Sequence, residues 1–184
     1  RRNKIKNSDI DMYRFIYVGR LVEDKGIITL LNAIKKLSRK IKVELFIYGD
    51  GPQKKFLIDK GNDLNISELI KFFGFKSELN DIFKGADCLL LNSKYESFGR
   101  VIIEALSYNC HVISSNCPVG PNELLVSGKF GDLFECDDFE RLHNLMYSAA
   151  INKSKIKNVS QNELNNHLQK FKPSKILESF LVNL

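Results

Sequence analysis

From Tyr13 onward, short apolar runs alternate with longer amphipathic ones. "YRFIYVG" reads as a strand ended by Gly19, and "GIITLLNAIKKLSRK" as a helix, with Ile28, Leu31, Ile34 and Leu37 at steps of three. "KVELFIYG" repeats the strand-then-glycine form, and "GPQKKFLIDKGNDL" predicts a helix with Pro52 in its first turn. Then follow a strand in "LIKFFG", a helix around "SELNDIFKGA", a strand in "DCLLLN", a helix through "GRVIIEALSYN" and a strand in "HVISS". A short helix after Pro121, a strand in "GDLFE" and a helix over "DDFERLHNLMYSAAI" complete the series. The strands are short and apolar on both parities, as in a parallel sheet covered on both faces. Six such units predict a doubly wound α/β domain over residues 13–151, with ligands bound at the carboxyl ends of the strands. Residues 152–184 are more polar and read as an exposed connection, closed by an amphipathic helix in "KILESFLVNL".

Composition narrows the class. A chain of 184 residues with 43% hydrophobic content can bury a substantial core. No apolar run approaches the roughly 20 residues needed to span a bilayer, and nothing reads as a signal peptide. The four cysteines lack both CxxC spacing and the density of a disulfide scaffold, which favours a reducing cytoplasm. The net charge of +6 favours anionic partners. Its lysines and arginines are interleaved with acids, however, and no nucleic-acid motif is present. The chain opens on Arg1, which fits a piece of a longer protein.

The predicted strand-end turns are "GRLVEDKG", "GDGP", "GFKSE", "NSKYESFGR" and "SSNCPVGPNE". The first puts Arg20 and Lys25 around a tight turn before a helix, where free amides already favour an anion. Two cations there suit a diphosphate; a solvated lysine and an arginine bonded to a neighbouring turn are the ordinary alternative. Neither the dinucleotide GxGxxG nor the phosphate loop GxxxxGK[ST] occurs. In "YESFGRVIIEAL" the helix is expected to start near Ser97 as N-cap, with Glu96 just outside and Glu104 on the second turn. Eight residues advance a helix by about 80° beyond full turns, so both carboxylates can address one cavity. Amides for an anion and carboxylates for hydroxyls together suit a sugar nucleotide, although Glu96 beside a helix dipole needs no function. Cys110, His111 and Cys117 match no zinc spacing, and Ser97 does not sit in a GxSxG elbow. Phe72, Phe73 and Phe75 read as core, with Phe75 also placed to line a base pocket.

Taken in order, these turns resemble the C-terminal, donor-binding domain of GT-B retaining glycosyltransferases of the family 4 type (glycosyl transferases group 1). "VGRLVEDKG" is similar to the family's G-R-x4-K-G segment, "YGDGP" to its G-x-G-P, and "ESFGRVIIEA" to its E-x7-E signature, with "FFGF" before the base pocket. "NCPVGPNELL" resembles the branch that extends glycans on polyprenyl diphosphate carriers. The resemblance covers roughly 13–150 and implies a Rossmann-like sheet forming one half of a GT-B enzyme. It implies that Arg20 and Lys25 hold the donor diphosphate from the turn at Gly19, and that Gly74, Phe75 and Lys76 line the base pocket. By the same resemblance Glu96 faces the transferred sugar, Ser97, Phe98 and Gly99 present amides near it, and Glu104 binds the ribose. Arg20, Lys25 and Glu96 are then the catalytic set, in a same-face substitution that needs neither a protein nucleophile nor a metal.

A UDP-sugar is the first donor expected and GDP-mannose the second, with a hexose or N-acetylhexosamine passed to a lipid-linked or surface polysaccharide. Residues 1–12 become a linker from an N-terminal acceptor domain, without which the chain is expected to bind nucleotide but turn over little. The expected setting is the cytoplasm, peripheral to the membrane and without nucleic acid. A non-catalytic sugar-nucleotide-binding module is the alternative. Two positions depart from the family pattern: Asn109 stands for the usual glycine, in a turn that asparagine tolerates, and His111 for the usual proline.

Overall fold

The computed structural model describes residues 12–153 and 159–171. Six parallel strands, β1 (Tyr13–Val18), β2 (Val43–Tyr48), β3 (Ile70–Gly74), β4 (Cys88–Leu91), β5 (His111–Ser115) and β6 (Asp132–Phe134), form one sheet in the order β3-β2-β1-β4-β5-β6. Among the described residues, seven α-helices connect or flank them: α1 (Ile27–Ser38), α2 (Lys54–Asp63), α3 (Leu79–Phe83), α4 (Arg100–Ser107), α5 (Pro121–Leu124), α6 (Phe139–Asn152) and α7 (Gln161–Gln169). Strand order reverses between β1 and β4, which opens a crevice at their carboxyl ends.

The two-residue period of each strand divides the core. Phe15, Tyr17, Leu45, Ile47, Cys88 and Leu90 point to one face, against Leu30, Leu31 and Ile34 of α1 and Leu142 and Met146 of α6. Their neighbours Ile16, Phe46, Leu89 and Leu91 point to the other, against Ile82 of α3, Ile102 and Leu106 of α4 and Leu124 of α5. Burying each such side chain contributes about 1.5–3 kcal/mol, so both faces of the sheet need their helices. This explains why the strands are apolar on both parities.

Several boundaries differ from the sequence expectation. Pro52 lies in a turn, and α2 starts at Lys54. Residues Gln161–Gln169, expected as exposed connection, form α7, which buries Leu164 and His167 and is capped by the Ser160 hydroxyl accepting from the Glu163 amide. The S-x-x-E spacing of a capping box gives the physical reason. Phe73 and Phe75, expected in the core, are 40% and 79% exposed, Phe73 because β3 is the edge strand and Phe75 because it stands in the loop beyond it. The closing helix expected in "KILESFLVNL" and the linker over residues 1–11 lie outside the described residues. Asn109 does take the left-handed conformation, at φ 57°.

Candidate functional site

The loop after β1 is fixed by its neighbours before any ligand arrives. The Gly19 amide donates to the Tyr48 carbonyl (3.0 Å) and the Leu21 amide to Asp50 (2.9 Å), which ties it to the loop after β2. The Tyr17 hydroxyl donates to the Arg20 carbonyl at 2.8 Å. Burial, with Glu96 adding to it and Arg20 opposing, holds that phenol well above its usual pKa, so it stays a donor. On the other side, the Lys94 amide donates to the Asp24 carbonyl (2.8 Å) and Asn92 Nδ2 to the Gly26 carbonyl (3.1 Å). The approach is so close that a Cβ at Gly26, which has φ +57°, would lie 2.4 Å from Asn92 Nδ2. The β1 and β4 loops therefore meet edge to edge across the crevice.

Where they meet, Lys25 Nζ donates to Glu96 Oε1 at 2.6 Å and to the Tyr95 carbonyl at 3.0 Å. Each side chain of the pair is only 14% exposed. The same Glu96 oxygen accepts from Ser93 Oγ at 2.6 Å. Two of the three ammonium donors of Lys25 are used in these bonds among the described residues, and Lys25 lines the cavity. Arg20 is exposed, and its guanidinium makes no ion pair among the described residues. Arg100 Nη2 lies 3.6 Å from Glu104 Oε1, an exposed contact of the kind that contributes little to stability.

Gly19, Arg20, Lys25, Glu96, Ser97, Phe98, Gly99 and Glu104 all line one cavity of about 670 Å³. Phe75 and Lys76 line a smaller one of about 300 Å³, which shares Val18, Gly19 and Arg20 with the first. Gly74 supports the neighbouring loop through its carbonyl, which accepts from the Gly49 amide at 2.8 Å. Gly74 lines neither cavity, contrary to expectation; the other expected residues line two adjoining compartments with Gly19 and Arg20 common to both.

One expectation fails in its local geometry. Ser97 is not the N-cap of α4; Gly99 is, at φ 78°, and the helix starts at Arg100. Glu96 consequently lies on the loop, and the helical-angle argument for the two glutamates does not apply. They share the cavity with Glu96 on a loop bonded to Lys25 and Glu104 on α4. Ser93, Tyr17 and Arg100 were not anticipated. Arg100 had a legible signal, a cation next to the glycine that opens the helix, whereas a buried serine and a strand tyrosine leave none.

A loop-borne cation pair, amides at the start of α4 and two carboxylates in one crevice can hold a diphosphate at one end and hydroxyl groups at the other. Comparison with known proteins places the chain in a family. The family described as "Glycosyl transferases group 1" matches residues 1–166. An uncharacterised glycosyltransferase of Methanocaldococcus jannaschii is 35% identical over 116 residues, covering 62% of this chain and 29% of its own. A Campylobacter jejuni enzyme, N-acetylgalactosamine-N,N'-diacetylbacillosaminyl-diphospho-undecaprenol 4-alpha-N-acetylgalactosaminyltransferase, is 28% identical over 141 residues, 74% of this chain and 38% of its own. Among solved structures, Anabaena HepE in complex with UDP-glucose superposes with a TM-score of 0.82 at 24% identity, over 95% of this chain and 50% of that one, and so shares the fold. The chain spans less than half the length of these curated relatives.

Proposed function

The chain belongs to the glycosyl transferases group 1 family, and on that premise we propose that it is the donor-binding, C-terminal half of a retaining glycosyltransferase of the family 4 type. The enzyme would pass a hexose or N-acetylhexosamine from a nucleotide diphosphate sugar to a lipid-linked or surface glycan. The observation that carries this reading is the convergence of Arg20, Lys25, Glu96 and Glu104 on one cavity at the β1/β4 crossover.

Each side chain has a task that its geometry suits. Arg20 and the remaining donor of Lys25 take the diphosphate and stabilise the charge that grows on it as the sugar leaves. Glu96 accepts from the hydroxyls of the transferred sugar, and Glu104, released from Arg100, accepts from the ribose. The base enters the smaller compartment beside Phe75. The bond from the anomeric carbon to the phosphate oxygen breaks with its electron pair on the phosphate. The acceptor oxygen bonds the same face of that carbon, and its proton passes to the departing phosphate oxygen. An acceptor domain beyond this chain completes the site, so the chain alone binds nucleotide with little turnover.

UDP-sugars are the favoured donors, supported by the UDP-glucose complex of a protein of the same fold, with GDP-mannose next. A polyprenyl diphosphate-linked acceptor at the cytoplasmic face of a membrane is supported by "NCPVGPNELL" and by the named acceptor of the Campylobacter relative. Calorimetric titration with UDP, GDP and ADP tests the donor reading. UDP binding that Arg20→Ala weakens about tenfold or more is the expected outcome. Absence of nucleotide binding, or binding indifferent to Arg20, contradicts it.

A further inference from the structure

We propose that Ser93 is a positioning residue that fixes the carboxylate of Glu96 and so decides which of its oxygens is offered to the transferred sugar. This rests on the reading of Glu96 as the sugar-facing group. Ser93 is fully buried just beyond β4, and its Oγ donates to Glu96 Oε1 at 2.6 Å. Lys25 donates to the same oxygen, so both protein donors occupy Oε1 and Oε2 is the acceptor left for a ligand hydroxyl.

Ser93 is itself held from the sheet. Its carbonyl accepts from the hydroxyl of Ser115, the last residue of β5, at 2.7 Å, and from Cys136 Sγ at 3.7 Å. Ser115 is 1% exposed. The relay Ser115, Ser93, Glu96 thus anchors the carboxylate to the ends of β4 and β5, two interior strands, although Lys94, Tyr95, Ser97 and Phe98 around it are exposed. The two donors on Oε1 also differ in what happens next. Lys25 has a second task on the diphosphate, and its ammonium is drawn toward that charge when the donor enters. Among the described residues the Ser93 hydroxyl makes no hydrogen bond other than that to Glu96, so it holds Glu96 while Lys25 changes hands.

A double-mutant cycle tests this, with Ser93→Ala, Glu96→Gln and the pair titrated against UDP and against whichever UDP-sugar the wild type binds most tightly. The expected result is a loss of about three- to tenfold in UDP-sugar affinity for Ser93→Ala, with UDP affinity unchanged. The double variant should be no weaker than Glu96→Gln alone, because Ser93 acts through Glu96. Equal losses for UDP and UDP-sugar, or losses that add in the double variant, would mark Ser93 as merely structural and overturn the proposal while the donor reading stands. A wild type that binds no UDP overturns both. Should Ser93→Ala fail to fold, Ser115→Ala removes the support one step back and is expected to give the same UDP-sugar-selective loss at smaller size; an unselective loss overturns the proposal.

Discussion

The two ends of the sheet carry cavities of similar size and opposite character. At the amino ends of β1, β2 and β3, about 710 Å³ is lined by Met12, the turn Ser38–Val43 and the segment Asn65–Leu69. At the carboxyl ends, about 670 Å³ is lined by the loops after β1 and β4. The larger cavity contains Arg39, Lys40 and Lys42, none of which forms an ion pair among the described residues. The smaller has a Lys25–Glu96 pair 14% exposed on each side and loops pressed together at Gly26 and Asn92. Volume therefore does not identify the site. What does is the arrangement: a lysine–glutamate pair that is costly to desolvate lies in the cavity where the strand order reverses.

Lys25→Ala should break this contrast most severely. It removes a phosphate donor and leaves Glu96 partly buried without its cation, so UDP affinity is expected to fall up to about a hundredfold in calorimetry. Gly26→Ala should come next. The new Cβ meets Asn92 at 2.4 Å in a backbone conformation at φ +57°, and an unfolding free energy lower by about 2 kcal/mol is expected from urea titration. Glu104→Ala is expected to weaken UDP about tenfold and to abolish any preference for UDP over its 2′-deoxy analogue. Unchanged discrimination would place the ribose elsewhere.

Acid should act on the helices flanking the sheet. Burial lowers the pKa of His143 on α6 and of His167 on α7 below 6.5; for His143 the cations Lys36 and Lys40 add to this, and for His167 the hydrogen bond to Leu124 opposes it. Both take up protons less readily in the folded protein than in the unfolded chain, which is protonated first as pH falls. Their contribution is present above about pH 6.5 and is lost as pH falls from there through the folded values, by at most about 1.4 kcal/mol per pH unit for each. Urea unfolding at about pH 7.5 and about pH 5.5 reads this as a lower midpoint in acid. The smallest effect is expected at the other end of the sheet, where Arg39→Ala should leave UDP affinity within about twofold of the wild type.

The strands and their order of alternation with helices were legible because each strand carries apolar residues on both parities between glycine or polar turns. The lining of the candidate cavity was legible as a set of turns for a related reason: the turns sit where strands end, and there a parallel sheet opens a crevice. Other features rest on contacts that no local pattern encodes. Lys25 and Glu96 lie 71 positions apart, and Ser93 is one buried serine among many polar residues. The Gly99 cap was hidden by Ser97, the better N-cap by propensity, and left-handed Gly99 displaced it. α7 was hidden by its polar composition, although Ser160 and Glu163 carried a capping-box signature that outweighs it.

The most direct test is a crystal structure of this chain with UDP. The account predicts the diphosphate against Arg20 and Lys25, the ribose hydroxyls on Glu104 and the uracil beside Phe75. UDP bound among Arg39, Lys40 and Lys42 at the amino ends of the strands, or bound away from Arg20 and Lys25 at the carboxyl ends, would contradict it.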